Sequence, residues 1–403
     1  MNSIKNFSVI VLVVLIFASC SQQDQYQQQA KNLAQKVIIV DGHIDMPYRL
    51  KDNWVDVSVS APDRDFDYPR AKEGGLDAPF MSIYIPVKYQ GTGNAKAVAD
   101  SLIDMVEGVA SDNPDKFAIA TSRDEIQTNF EKGIISLPLG IENGAPIQAL
   151  SDVEYFYDRG VRYITLAHAK DNRISDSSYD TTANTHNGLS EYGKEVVHEM
   201  NRLGMMVDVS HITDSAFYDV IGTSEAPVIA SHSSARHFTP GFERNMGDDL
   251  IKTLGENDGV IMINFGSTFL DSASQNSGEQ VQQEITQLLE EKGLDPESEE
   301  GNQFSEQYFQ DNFQFSTVEK VADHIDHVVN LVGIDHVGLG SDYDGVGPTL
   351  PTGLKDVSTY PNLFAELLER GYTEEDIEKI ASGNVFRVWQ KVDEVAASMQ
   401  SEN

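Results

Sequence analysis

Eight short runs of apolar, mostly β-branched residues recur along the chain, and most are followed by a segment with helical spacing. The runs are Val37–Val40, Met81–Ile85, Ile134–Ile141, Val161–Leu166, Met205–Val209, Val228–Ala230, Val260–Ile263 and Val337–Leu339. The helical segments include Ala95–Val109, Tyr192–Leu203, Asp214–Ile221 and Thr317–Val332. Runs this dense have no polar face, so they read as parallel strands covered on both sides. Eight of them predict an α/β fold, a (β/α)8 barrel of the TIM type, which can exceed ~400 residues when its loops are enlarged. An open doubly wound sheet is the alternative, but no Gly-rich nucleotide turn follows the first run. Residues 267–315 break the rhythm. They are Gln-, Glu- and Ser-rich and too long for a connector, which predicts an excursion after strand seven.

What ends each run is the functional signal. The runs close on Asp41-Gly-His43-Ile-Asp45, Glu142-Asn143-Gly144, His168, Asp208-Val-Ser-His211, Ser231-His232 and Ser341-Asp342-Tyr-Asp344. A barrel carries its chemistry at the C-terminal ends of its strands, so titratable residues gathered there predict an active site. His43 and Asp45 are two apart in extended chain and reach one point, half of a zinc site. Glu142 alone could be a helix cap, a surface residue or a ligand whose two oxygens hold two cations. His211 and His232 end successive strands. Taken together, His43, Asp45, Glu142, His211 and His232 predict two cations bridged by Glu142. The other histidines read differently. His198, His324 and His327 lie on helices as surface or packing residues, and His336 precedes its strand on the face opposite the chemistry. His186 and His237 lie in loops near the mouth, and His237 is read as structural or solvated.

Charge excludes one class of partner. With 29 Lys+Arg against 64 Asp+Glu the net charge is −35, so no nucleic acid is held through its phosphates. At the N-terminus, Lys5 precedes an apolar stretch from Phe7 to Ala18, too short for the ~20 residues of a spanning helix but suited to a signal peptide over residues 1–19. Phe17-Ala18-Ser19-Cys20 resembles the lipobox of bacterial lipoproteins, in which the cysteine is lipidated and becomes the mature N-terminus. That resemblance implies export, a membrane anchor at Cys20 and a place in the bacterial cell envelope. A plain signal peptide with an incidental cysteine is the competing reading. Residues 20–35, with Ser21 to Gln29 almost wholly polar, read as a tether, and residues 36–398 as one barrel domain.

Asp41-Gly-His43-Ile-Asp45-Met-Pro47 resembles the opening motif of the membrane (renal-type) dipeptidases, the M19 metallopeptidase family. The likeness continues through Tyr68-Pro-Arg-Ala-Lys-Glu-Gly-Gly75, Gly160-Val-Arg-Tyr-Ile-Thr-Leu-Ala-His168 and Gly188-Leu-Ser-Glu-Tyr-Gly193. Asp208-Val-Ser-His211, Ser231-His-Ser-Ser-Ala235, Arg244-Asn245 and Gly340-Ser-Asp-Tyr-Asp-Gly345 complete it, in the family's order over residues 38–395. The resemblance implies an amidohydrolase-like barrel with two zinc ions that hydrolyses dipeptides through a metal-bridging hydroxide. It implies that His43 and Asp45 bind one zinc, His211 and His232 the other, and Glu142 both. It gives His168 the scissile carbonyl, Arg244 the substrate carboxylate, and Asp342 the substrate amino group and the proton transfer. Arg244 stands one residue further from His232 than the family pattern, and Asn143-Gly144-Ala145 replaces its Gly-Gly-His. Animal members form disulfide-linked dimers. Cys20 is the one cysteine here, which leaves a non-covalent homodimer as the expectation. Two alternatives stay open. One is an amidohydrolase acting on a non-peptide amide or lactam, with Lys170 as a carbamylated bridge. The other is a non-catalytic binding lipoprotein.

Overall fold

The computed structural model describes residues 23–296 and 298–401, and the apolar runs lie in eight parallel strands. These are β1 (Ile39–Ile44), β2 (Leu76–Tyr84), β3 (Leu139–Glu142), β4 (Val161–Thr165), β5 (Met206–Asp208), β6 (Ile229–Ala230), β7 (Val260–Ile263) and β8 (Val337–Leu339). Each pairs with the next in sequence order, and every strand residue is buried except the half-buried Tyr84. That burial is why the runs lack alternation.

The barrel closes just beyond the last strand. The Asp342 N–H donates to His43 O at 3.0 Å, and the Asp45 N–H donates to Tyr343 O at 2.9 Å. The buried Asp41 carboxylate locks this seam, accepting from the N–H groups of His43 (2.9 Å) and Ser341 (3.0 Å) and from the Tyr360 hydroxyl (2.5 Å). The first residue of the opening motif therefore holds the barrel together. Across the interior Phe80 packs on Tyr163 and on Trp389, which arrives from the last helix, Asn384–Ser401. The Tyr163 ring occupies the place where a Cβ on Gly140 would stand.

Two local expectations change and a third holds. The run Ile134–Ile141 is two strands. Pro138 brings no N–H to a ladder, and Ile135–Leu137 leaves to pair with Phe117–Ile119 in a separate two-stranded sheet. The stretch read as a tether is helical from 23 to 34. Its glutamines mask a stripe of Tyr26, Ala30, Leu33 and Ala34, at helical spacing, that packs on the barrel. Residues 267–315 form the excursion expected after strand seven, as the helices Ser267–Leu270, Ser272–Lys292 and Glu299–Asn312. The two longer ones share a small core of Val281, Ile285, Leu289, Phe309 and Phe313. The signal segment 1–19 and Cys20 lie outside the described residues. Among those described, no helix is long and apolar enough to cross a membrane.

Candidate metal centre

All five expected ligands meet at the C-terminal mouth of the barrel, around Glu142. Its Oε2 lies 3.5 Å from His43 Nε2, which is 3.7 Å from Asp45 Oδ2. Its Oε1 lies 3.1 Å from His211 Nε2 and 3.3 Å from His232 Nε2, and those two nitrogens are 2.8 Å apart. One carboxylate thus turns an oxygen to each of two donor groups.

The tautomers are set from behind. The His43 Nδ1–H donates to the Tyr163 oxygen at 2.9 Å, because the Tyr163 hydroxyl itself donates to Gly42 O at 3.0 Å. The His232 Nδ1–H donates to Ser231 Oγ at 2.7 Å, and Ser231 donates to Asp208 at 2.7 Å. When neutral, both rings therefore present a bare Nε2 to the centre, the arrangement in which an outer partner orients a metal-binding imidazole. Burial would lower His43, but the charges of Tyr163, Glu142 and Asp45 raise it well above the ordinary imidazole range, so a cation there takes the place of a proton. Burial, then the charges of Arg244 and His168, keep His211 well below the ordinary imidazole range. Burial, then His43 and Arg244, do the same for His232, so both are neutral donors. Burial would raise Glu142, but the charges of His168 and His43 and the hydrogen bonds of His211 and His232 draw it well below the carboxylate range.

Buried polar atoms without partners test whether cations fit. At this centre they include His43 Nε2 and Asp45 Oδ1, both electron-pair donors, together with His168 Nδ1, His211 Nδ1 and Arg244 Nε. Buried lone pairs without donors are costly unless something positive satisfies them. Nitrogen and carboxylate oxygen are the donors that divalent zinc-like ions take, so the residues fit.

The remaining expected residues surround this core. His168 Nε2 is 3.4 Å from Glu142 Oε1, with the side chain 19% exposed to the mouth between Tyr84 and His211. Asp342 faces the cavity, its Oδ2 accepting from Asn264 Nδ2 at 2.7 Å. Burial, then the charge of Asp45, raise its carboxyl well above the ordinary range. Arg244 is close but partly committed, donating to Ser233 Oγ at 2.8 Å and His232 O at 2.7 Å with Nη2 3.0 Å from His211 Nε2. Lys170 does not reach the centre; it pairs with Asp180 at 2.9 Å at the surface. The control histidines behave as read: His324 bonds Ala235 N and Leu270 O, and burial pushes it down to about 4. His336 bonds Gly259 O below the barrel.

Several elements of the site escape sequence reasoning. His211, Asp342 and Asn143 hold φ values of 71°, 62° and 83°, a left-handed backbone that aims side chains off strand ends. Asn143, in place of the family's glycine, tolerates that conformation and ties Ile85 O, Ala145 N and Asn172 together. Asn264 follows β7 directly, so the strand-end rule that picked out the expected ligands reaches it too. The mouth opens into a cavity of about 460 Å³ walled by Tyr84, Tyr179, Phe269 and Val346 above Glu142, His168 and Asp342. Phe269 comes from the excursion. A larger groove of about 560 Å³ lies within the excursion, lined by Ile285, Leu289 and Phe309, and carries no histidine.

Residues 27–403 match the family described as membrane dipeptidase, peptidase family M19. The dipeptidase tcpJ of Claviceps purpurea is 35% identical over 375 residues, which cover 89% of this chain and 78% of that protein. The crystal structure of the probable dipeptidase PvdM from Pseudomonas aeruginosa superposes with a TM-score of 0.80 at 25% identity, covering 93% of this chain and 100% of that one. A metallo peptidase from Rhodobacter sphaeroides, liganded with a phosphinate mimic of the dipeptide L-Ala-D-Ala, gives 0.71 at 25% identity, covering 88% and 99%.

Proposed function

The chain belongs to the membrane dipeptidase family M19, and from that premise we propose that it is a zinc dipeptidase with two ions shared across Glu142. His43 and Asp45 would hold one, and His211 and His232 the other. The observation that carries the reading is the split of Glu142, Oε2 toward His43 and Oε1 toward His211 and His232. Bound to these donors, the metal would supply Lewis acidity to a carbonyl oxygen and ease the deprotonation of water.

The chain's own groups do the rest. His168 lines the mouth and offers a donor to the carbonyl oxygen as charge builds there. Asn264 occupies Oδ2 of Asp342, leaving Oδ1 to take the proton of the attacking water and return it to the departing amine. Arg244, with Nη1 and Nη2 braced on Ser233 and His232 O, directs its remaining N–H groups to the substrate's free carboxylate. A cavity of about 460 Å³ suits a small ligand. Dipeptides are the substrate class, and L-Ala-D-Ala, mimicked in the Rhodobacter sphaeroides neighbour, is a first one to try.

A dipeptide panel and the matching C-terminal amides, assayed on zinc-loaded protein lacking residues 1–20, test this. Hydrolysis of dipeptides with two zinc ions per chain and poor turnover of the amides is expected. One ion or none after zinc loading counts against the Glu142 bridge. Export and anchoring through Cys20 complete the proposal. Wild type should partition into detergent, and Cys20→Ser should not be processed by the lipoprotein pathway. Recovery of a wild-type chain that starts downstream of Cys20 and carries no lipid would refute it.

A further inference from the structure

A second group of metal-ligand side chains meets on the outer wall of the barrel. His237 lies in the turn Arg236–Phe238 after β6, Asp248 opens the helix Asp248–Glu256, and His327 lies on the helix Val318–Val332. His327 Nε2 is 2.8 Å from Asp248 Oδ1, and the His237 and His327 rings are stacked at 4.4 Å and 24°. One ligand atom from each residue lies within 4.8 Å of the others. We propose that His237, Asp248 and His327 bind one divalent ion of the zinc or copper(II) class, separate from the barrel centre.

Two imidazole nitrogens and one carboxylate oxygen are a donor set for such ions and a poor one for magnesium or calcium. Two ligands of a tetrahedral zinc stand about 3.3 Å apart, so an ion can replace the proton between His327 and Asp248 with little movement. Near-parallel rings cannot both aim a lone pair at one ion, so His237 must turn out of its stack on His327, which its exposed position allows. The His327 side chain is 16% exposed and Asp248 41%, which leaves the ion a water-facing position. Phe238 sets its edge against both rings, at 4.9 and 5.7 Å, and forms the floor. Nearby cations have their own partners: Lys320 sits over Phe238 and pairs with Asp323 at 2.7 Å, and Arg236, beside His237, pairs with Asp214 at 2.5 Å. An ion here joins two helices to the loop that also carries Arg244, so occupancy should stabilise the fold without entering the chemistry.

The test uses full-length enzyme already loaded with zinc at its barrel centre, dialysed to equilibrium against further Zn²⁺. Wild type should bind one ion per chain more than either His237→Ala or His327→Asn. Dipeptide kcat should be the same in all three. Tm should rise with excess Zn²⁺ in wild type alone, as binding to the folded state requires. With Cu²⁺ as probe, the electron paramagnetic resonance of the outer site should report two nitrogens in wild type and lose that pattern in each variant. His237→Ala alters an exposed ring, so misfolding does not confuse the result. Equal ion counts in wild type and His237→Ala, or an extra ion that persists in both variants, overturn the proposal.

Discussion

Gly345→Ala tests whether Asp45 and Asp342 work as a closely packed pair. Gly345 lies just past the barrel seam, and its N–H donates to Asp342 O at 3.0 Å. Its φ is not among the positive ones, so alanine suits the backbone. The added Cβ would stand 2.2 Å from both Asp342 Oδ1 and Asp45 Oδ2, where ordinary contact begins at 3.4 Å. Each carboxylate must therefore retreat by roughly 1 Å, and a misplacement of that size costs about 10²-fold in rate. In free energy this is ~2.7 kcal/mol of transition-state stabilisation. The fold should barely notice, because the atoms displaced are the free ends of side chains. Steady-state kinetics on one dipeptide, metal content and Tm from the same preparation separate these effects. We expect kcat to fall about 10²-fold, some loss of the ion held by Asp45, and a Tm close to wild type. Gly222→Ala is the control, since its added Cβ meets nothing within 4 Å. Wild-type kcat and full metal content in Gly345→Ala would refute the idea that these two carboxylates depend on each other's position.

Asp342→Asn should keep its metals, because the amide oxygen can still accept from Asn264, while kcat falls by roughly 10²–10⁴-fold, the usual worth of a positioned proton carrier. Near-normal kcat with metals retained would move the proton to another group. Glu142→Gln should weaken both ions together, whereas His211→Ala should remove mainly one; elemental analysis of both variants distinguishes them, and equal losses would contradict the bridge. Asp77, buried on β2 and accepting from Ile39 N, is pushed up to about 7 by burial against that bond and the charge of Lys72. The folded chain thus holds this proton more tightly than the unfolded one. The contribution, up to ~4 kcal/mol, is complete below about pH 4 and is lost as pH rises to about 7. Asp77→Asn should gain Tm over wild type across that window, and a difference independent of pH would show that Asp77 does not titrate there.

The barrel and the cluster of residues at its mouth were legible in the chain because both are written locally. A strand buried on two faces must be apolar throughout, as Val260–Ile263 is, and a barrel's chemistry stands where such a run stops. His43, Asp45, Glu142, His211, His232 and Asp342 all follow from that rule and from the family motif. The helix at 23–34 stayed hidden because its stripe of Tyr26, Ala30, Leu33 and Ala34 is diluted by glutamine, and only the barrel surface makes that stripe worth burying. The split at Pro138 was hidden for a related reason: an apolar run looks the same whether one sheet or two will claim it. What tertiary structure alone decided is direction. Tyr163 chooses which nitrogen of His43 faces the centre, and Asp208 does so for His232 through Ser231. Asn264 chooses which oxygen of Asp342 is free, and Ser233 and His232 O fix the guanidinium of Arg244. Each of these partners comes from elsewhere on the barrel, so its orientation exists only once the seam between Asp41 and Ser341 has closed the strands into a ring.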